Sequence, residues 1–390
     1  MLTIKLAMRN ILGAGLKTWL NVAVLSIAFV TIIYTQGIYL GMNEQASTAL
    51  VKVYYGGGQY WQKDYDPYDS FSLEESHAPL TPELETFVQQ DQATPILCAL
   101  ATAFQGSRII PVQLKGIPPD QKILDLPTAA LNDETEMIPA LIGTRMAKSA
   151  QLNVGDLLTI RWRDVHGVYD AADVKIVHIM RTTVSTIDAS VLWLPLQQMQ
   201  KMYDLQDEAT LAVLTQTVQP VAVTADWRFV PPEELLADIK EMVQQKTIAA
   251  SIMYVLLLFL GLIAVFDTQV LAVFRRRREI GTLIALGMTR ARVIKIFTLE
   301  GILNGLLALL VGALWGAPLI WMFARSGMAM PDFVDNMGIA IGERIYPVYG
   351  AGLILGTSIL VMISVAIVSF MPTRSISHLS PTDALKGKHR

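Results

Sequence analysis

The chain has 390 residues, 52% hydrophobic and 17% charged, with a formal net charge of −3 and one cysteine. Soluble domains usually carry about 25% charged residues, and the mean hydropathy here is +0.41. Composition therefore favours a membrane protein over a soluble enzyme. The lone Cys98 excludes an intramolecular disulfide and, beside Ile96, Leu97 and Leu100, reads as a small core residue.

Charge is unevenly spread. Residues 43–246 hold 27 acidic and 15 basic side chains, a net of −12, and the remainder holds 7 and 16, a net of +9. The split points to two different surroundings. The first uncharged run, Thr18–Met42, has 25 residues. At 1.5 Å per residue it reaches about 37 Å, enough for a hydrocarbon core of about 30 Å, and it exceeds the apolar core of about 7–15 residues of a signal peptide. It reads as a retained transmembrane helix, which Glu44–Val53 can extend.

Residues 43–246 are numerous enough for a core of their own. Strand-like runs are Ile109–Gly116, Leu157–Arg163, Val174–Met180, Val191–Leu194 and Leu211–Gln216. The second and third flank His166-Gly167 and form a hairpin pattern. Helix-like runs are Pro82–Gln90, with Thr81 as N-cap and proline in the first turn, Gly143–Ala150 and Leu196–Met202. The domain is thus mixed α+β. After Pro231-Pro232, the residues Leu235, Leu236, Ile239, Met242 and Val243 recur at helical spacing. No glycine or proline follows until Gly261. The pattern predicts one helix from Pro232 through Lys246 into the second span, a stalk with Leu235, Ile239, Met242 and Val243 on its apolar face.

No catalytic constellation emerges. His77, His166, His178, His378 and His389 lack metal-ligand spacing with one another or with Cys98. H-E-x-x-H, G-x-S-x-G and the P-loop pattern are missing. Gly56-Gly57-Gly58 follows Tyr54-Tyr55 with no helix start after it, and reads as a turn rather than a phosphate cradle. Catalytic, cofactor and metal residues are therefore expected to be none.

Three further apolar runs, Thr247–Phe274, Ile296–Ala324 and Tyr346–Pro372, complete four spans. Lys5, Arg9 and Lys17 precede the first span. Arg275–Arg278, Arg290, Arg292 and Lys295 lie between the second and third, and Arg374, Lys386, Lys388 and Arg390 follow the fourth. Four spans place all three clusters on one side, the cytoplasmic one by the positive-inside rule. The expected organisation is an N-terminal segment with the first span (1–42), an outer α+β domain (43–246), a second span (247–274), a cytoplasmic loop (275–295), a third span (296–324), a short outer loop (325–345), a fourth span (346–372) and a cytoplasmic tail (373–390). Asp267 and Glu300 fall within or beside spans, near basic residues of the same membrane face, and read as structural ion-pair partners, with Arg275 and Lys295 in reach.

The loop is the most informative segment. Four arginines suit a positive-inside anchor contacting anionic lipid. Glu279–Leu286 forms a short amphipathic helix bearing Ile280, Leu283, Ile284 and Leu286, Gly287 is placed to end it in a left-handed conformation, and Thr289 to cap the next helix. Apolar residues projecting from such a helix can lie in the interface or dock on a partner.

Here Arg278-Glu279-Ile280-Gly281-Thr282-Leu283, then Ala285-Leu286-Gly287, Glu300-Gly301, Gly305 and Gly312 resemble the FtsX/MacB superfamily of ABC-transporter permeases. Leu6-Ala7-Met8-Arg9-Asn10 is similar to that family's amphipathic start, and Pro372-Thr373-Arg374 with Ser380–Leu385 to its ending. Gly143, Ala147 and Leu152–Asp156 resemble its helix-turn-strand. Gly57–Trp61 and Lys115–Pro119 resemble the lipoprotein-releasing (LolC/LolE) branch.

The resemblance implies four transmembrane helices with a large extracytoplasmic domain between helices 1 and 2, in a bacterial inner membrane with both termini cytoplasmic. It assigns Arg278, Glu279, Ile280, Gly281, Leu283, Leu286 and Gly287 to a coupling helix that docks on a separate ABC ATPase subunit, which would bind ATP and magnesium in place of this chain. Further implied partners are a second permease chain, in a homo- or heterodimer, membrane lipid, and a periplasmic carrier or outer-membrane component, with no nucleic acid. The implied activity is ATP-driven mechanotransmission that exports or extracts lipoproteins or other amphipathic substrates. The alternative is an FtsX-like activator of a cell-wall hydrolase, which transports nothing.

Overall fold

The structure, a computed structural model, describes residues 16–106, 108–133, 137–181, 190–223, 225–329 and 344–374. The readings placed on Leu6–Asn10, on most of the short outer loop and on Ser380–Leu385 fall outside the described residues. Contacts divide the chain into two compact units, Asn43–Met242 with Ala329–Ile345, and Met1–Met42 with Val243–Met328 and Tyr346–Arg390.

Helix α1 (Leu16–Leu50) continues as a π-helical stretch, Val51–Tyr55. It ends at Gly56, which has φ +56°. Then follow β1 (Gln59–Gln62), a short β2 (Ala78–Pro79), α2 (Pro82–Gln89), β3 (Ala93–Gln105), β4 (Arg108–Ile117) and β5 (Ile138–Gly143). After α3 (Thr144–Ala150) come β6 (Leu157–Arg163), β7 (Tyr169–Met180), β8 (Val191–Pro195), α4 (Leu196–Tyr203), a short β9 (Glu208–Ala209), β10 (Leu211–Leu214) and β11 (Trp227–Val230). Helix α2 starts as its sequence dictates, with Pro82 in the first turn and Thr81 Oγ1 accepting from the Leu84 N–H.

The strands β3, β4, β8, β5, β7 and β6 hydrogen-bond in that order. β6 returns to β3 through Ala101↔Trp162 to Phe104↔Thr159, closing a six-stranded barrel. β3 makes this possible because it is long. Its first residues pair with β10, from Leu211↔Ile96 to Leu214↔Ala93, and its later ones with β6, while β4 runs along its other edge. Alternation fills the interior: Leu158, Ile160 and Trp162 of β6 point inward with Ala103, Leu114, Ile142, Val174, Ile176, Leu192 and Leu194. The hairpin pattern around His166-Gly167 is the antiparallel β6–β7 pair.

A second core lies on the outer face of part of this sheet. Ile96, Cys98, Leu141, Trp193, Leu211 and Val213 pack there with Ala46 and Leu50 of α1 and with Leu236 and Ile239. The Lys115 ammonium is buried in the same layer, 2.7 Å from the Tyr54 hydroxyl and 4.0 Å from the Tyr54 ring centre. Gln59 donates Nε2–H to the Tyr54 carbonyl and accepts from Trp61 Nε1–H. The Gly57–Trp61 and Lys115–Pro119 segments thus share one packed node.

The stalk differs from its expectation. α5 (Pro232–Leu235) stops at Leu236, which has φ −93° and ψ 0°, and α6 starts afresh at Ala237 and runs to Arg275. Leu236 N–H still reaches the Pro232 carbonyl and Lys240 N–H the Leu236 carbonyl, each at 3.0 Å, so the interruption is one residue wide. Leu235 and Leu236 are both buried, at 9% and 7% exposure. Ile239 and Met242 are half-buried and Val243 buried.

In the other unit, α6 is followed by α7 (Arg277–Ala285), α8 (Arg290–Ser326) and α9 (Ala351–Thr373). Helices α1, α6, α8 and α9 are long and apolar enough to cross a membrane. Their common core holds Val22, Leu25, Phe29, Val30 and Ile33 of α1, Val265 of α6, Ala308 of α8 and Val361 and Val365 of α9. Gly301 marks a close approach: a Cβ there would collide with the Ser369 hydroxyl of α9 and reach Gln269 of α6. Small residues at such points let membrane helices pack backbone to backbone, which accounts physically for the glycines of α8. Asp267 is exposed on α6. The expected pairing of this carboxylate with the neighbouring basic cluster is not formed among the described residues.

Candidate functional site

The site is the loop joining α6 to α8. At Arg276, φ −97° and ψ 15° turn the chain out of α6 and into α7. α7 then closes with paired terminal bonds. Gly287 N–H reaches the Ile284 carbonyl at 3.0 Å, and Met288 N–H reaches the Leu283 carbonyl at 3.0 Å. This is a Schellman motif, with Gly287 at φ +92° in the position that favours glycine. Thr289 stands at the N-cap of α8, with its backbone extended, but its hydroxyl makes no capping bond. Its carbonyl accepts from Arg292 and Val293 instead. The expected side-chain cap is therefore absent.

The apolar face of α7 turns inward. Ile280 is 0% exposed and sits among Val273 of α6 and Val293 and Phe297 of α8, with Leu283, Ile284 and Met288 around it. The expectation that Ile280, Leu283 and Leu286 project together is corrected here. A nine-residue helix has one apolar face, and the ends of α6 and α8 cover it. Gly281 is buried with Ile280, and Leu283 is half-buried. Arg278, Glu279, Thr282, Ala285, Leu286 and Gly287 form the exposed side, with Leu286 at 80% exposure.

Arg276 ties the parts together. Its Nη1 donates to both Glu300 oxygens, at 3.1 and 3.4 Å. Its Nε lies 3.7 Å from Glu279, and its guanidinium lies 6.0 Å from the Phe297 ring centre. The Glu300 side chain is only 9% exposed. Its ion-pair partner is thus Arg276, 24 positions away, rather than the nearby Lys295 expected from sequence. Arg277 stacks on Phe274 at 4.3 Å, leaving Arg275 and Arg278 as the exposed arginines of the run. Neither the Arg276–Glu300 pair nor the Ile280 nest was anticipated. The available signals were a carboxylate in an apolar run and matching apolar residues on both flanking helices.

α7 is anchored to α8 by a buried ion pair and an apolar nest while its opposite side stays free. Among the described residues, no three His, Cys, Asp or Glu side chains group as metal ligands. The stalk residues Leu235, Ile239, Met242 and Val243 are not part of this site.

The family description "FtsX-like permease C-terminal" matches residues 251–381, which contain the whole loop. The chain is 26% identical over 153 residues to the macrolide export ATP-binding/permease protein MacB of Burkholderia thailandensis. That match takes in 39% of this chain and 21% of the relative, so the chain spans about a fifth of that protein's length. Among solved structures, the extracellular domain of the noncanonic ABC-type transporter YknZ from Gram-positive bacteria overlaps 40% of this chain and 82% of its own, at 14% identity and a TM-score of 0.27. The chain has four helices long and apolar enough to cross a membrane and a large α/β domain between the first two, an arrangement that fits a four-span membrane permease. Residues 251–381 are similar to the FtsX-like permease C-terminal family, and part of the chain is similar to MacB.

Proposed function

We propose that this chain is the membrane-spanning subunit of an ABC transporter and that α7 is the element on which a separate ATPase subunit acts. One observation carries the reading. Within the FtsX-like segment, α7 is bonded to α8 through Arg276 and Glu300 while Arg278, Glu279, Thr282 and Leu286 remain available for a partner. A push on that side is delivered to α8 and, through the Gly301–Ser369 contact, to α9. The basic residues Arg275–Arg278 favour a cytoplasmic position for the loop. In this reading both termini are cytoplasmic and the 43–246 domain lies outside a bacterial inner membrane. Two permease chains close together on ATP binding, and the outer domains extract amphipathic substrates such as lipoproteins, handing them to a carrier or outer-membrane component.

The test is co-purification with a co-expressed ABC ATPase. Leu286→Asp and Arg278→Glu change exposed side chains, so the permease stays folded, and recovery of the ATPase is expected to fall at least tenfold. Wild-type recovery with both variants would show that α7 is a membrane anchor and not the docking element.

A further inference from the structure

The outer wall of the barrel is covered along one stretch by α1, α5 and the start of α6, and along another it is open among the described residues. Outward positions on an uncovered sheet face are ordinarily polar. Here the outward row of β3 reads Leu100, Thr102, Phe104, beside Pro111 of β4 and Arg161 and Arg163 of β6. Leu100 is 40% exposed, and Tyr169 at the start of β7 is 66% exposed. Leu100, Thr102, Pro111, Arg161, Arg163 and Tyr169, with the Glu74 carboxylate, line a groove of about 520 Å³, within the range of about 300–1,000 Å³ typical of small-molecule sites.

Arg161 gives the groove its chemistry. It stands opposite Thr102 across the β3–β6 pair. Its guanidinium lies 5.5 Å from the Phe104 ring centre and 5.4 Å from that of Tyr169. Both distances are within reach of cation–π attraction, and the exposed guanidinium keeps N–H donors for an acceptor. Residues 43–246 contain 27 acidic side chains, yet no described carboxylate pairs with Arg161. Arg163, two residues along the same face and so roughly 6.8 Å away, is held by Glu74 at 3.4 Å. An arginine with no described carboxylate partner beside the apolar side chains of Leu100 and Pro111 matches a carboxylate or phosphate joined to a hydrocarbon body.

We infer that this groove is a binding site for an anionic amphiphile, with its carboxylate or phosphate head on Arg161 and its hydrocarbon over Leu100 and Pro111. The site does not depend on the transport reading, because binding is measured without ATP or an ATPase.

The experiment uses the full chain in phosphatidylcholine nanodiscs, titrated calorimetrically with octyl phosphate, octanoate and octyltrimethylammonium, with empty discs subtracted. One saturable site is expected for octyl phosphate or octanoate, whichever head the arginine prefers, and none for the cation. Arg161→Gln should weaken binding at least tenfold, and Thr102→Trp, which fills the groove from an outward position, should abolish it. Arg228→Gln, on another strand where the side chain stacks on Trp61, should leave it unchanged. Absence of saturable anion binding, equal binding of the cation, or wild-type affinity in Arg161→Gln would each overturn the proposal.

Discussion

Removing Arg276 should loosen α7 without unfolding the helices that cross the membrane. The side chain donates to both oxygens of Glu300, whose side chain is 91% buried by virtue of its 9% exposure. Breaking a buried ion pair by removing one partner costs about 3–5 kcal/mol. Arg276 is 25% exposed, so solvent screens part of the pair, and Arg276→Ala should cost about 2–4 kcal/mol. At about 1.4 kcal/mol per factor of ten, amide-exchange protection across Arg277–Ala285 should drop roughly 30- to 700-fold, while protection in the middle of α8 is retained. Glu300→Gln keeps an acceptor and should cost less, about 1–2 kcal/mol. The joint replacement Arg276→Met with Glu300→Leu removes both charges and should return α7 to within about 1 kcal/mol of the original. Exchange by mass spectrometry on the purified protein reads all three. Unchanged protection in Arg276→Ala, or a double variant as loose as the single one, would refute the view that this pair fastens α7.

Gly301→Ala should lower thermal stability by about 1–3 kcal/mol through overpacking against Ser369, with partial recovery when Ser369→Gly is added; a neutral Gly301→Ala would mean that α8 and α9 do not approach as closely as described. Cys98 is buried, and burial pushes its thiol pKa up despite the opposing influence of Lys115. N-ethylmaleimide should therefore leave the native protein unlabelled and modify it rapidly in SDS, whereas native labelling at the rate of a free thiol would contradict the packing around β3. Inserting three glycines after Gln244 interrupts α6 at a cost of about 1 kcal/mol of helix propensity per glycine. The product should still recruit its ATPase and hydrolyse ATP but lose transport, and full transport would show that α6 serves only as a tether.

Much of the membrane part was legible before any coordinates. Predominantly apolar runs longer than a bilayer is thick can satisfy their own backbone polar groups as helices, so four spans followed from the sequence alone. The local signals at Thr81-Pro82, at Gly287 and at the His166-Gly167 hairpin act within a few residues, and they too were readable. So was the loop motif at Arg278–Gly287, because its residues are contiguous.

The tertiary structure decided what depends on residues far apart. Closure of the barrel rests on β3 pairing with β10 through one stretch and with β6 through another. Periodicity reports which face of a strand is buried but not which strand lies beside it. The stalk is interrupted at Leu236, whose side chain joins the second core of the outer domain, and no glycine or proline at that position marks the interruption in the sequence. The apolar face of α7 was visible in the sequence, but its partner was not. A hydrophobic stripe states that something must cover it, and only the approach of α6 and α8 determined that Ile280 is covered from within, leaving Arg278 and Leu286 to face outward.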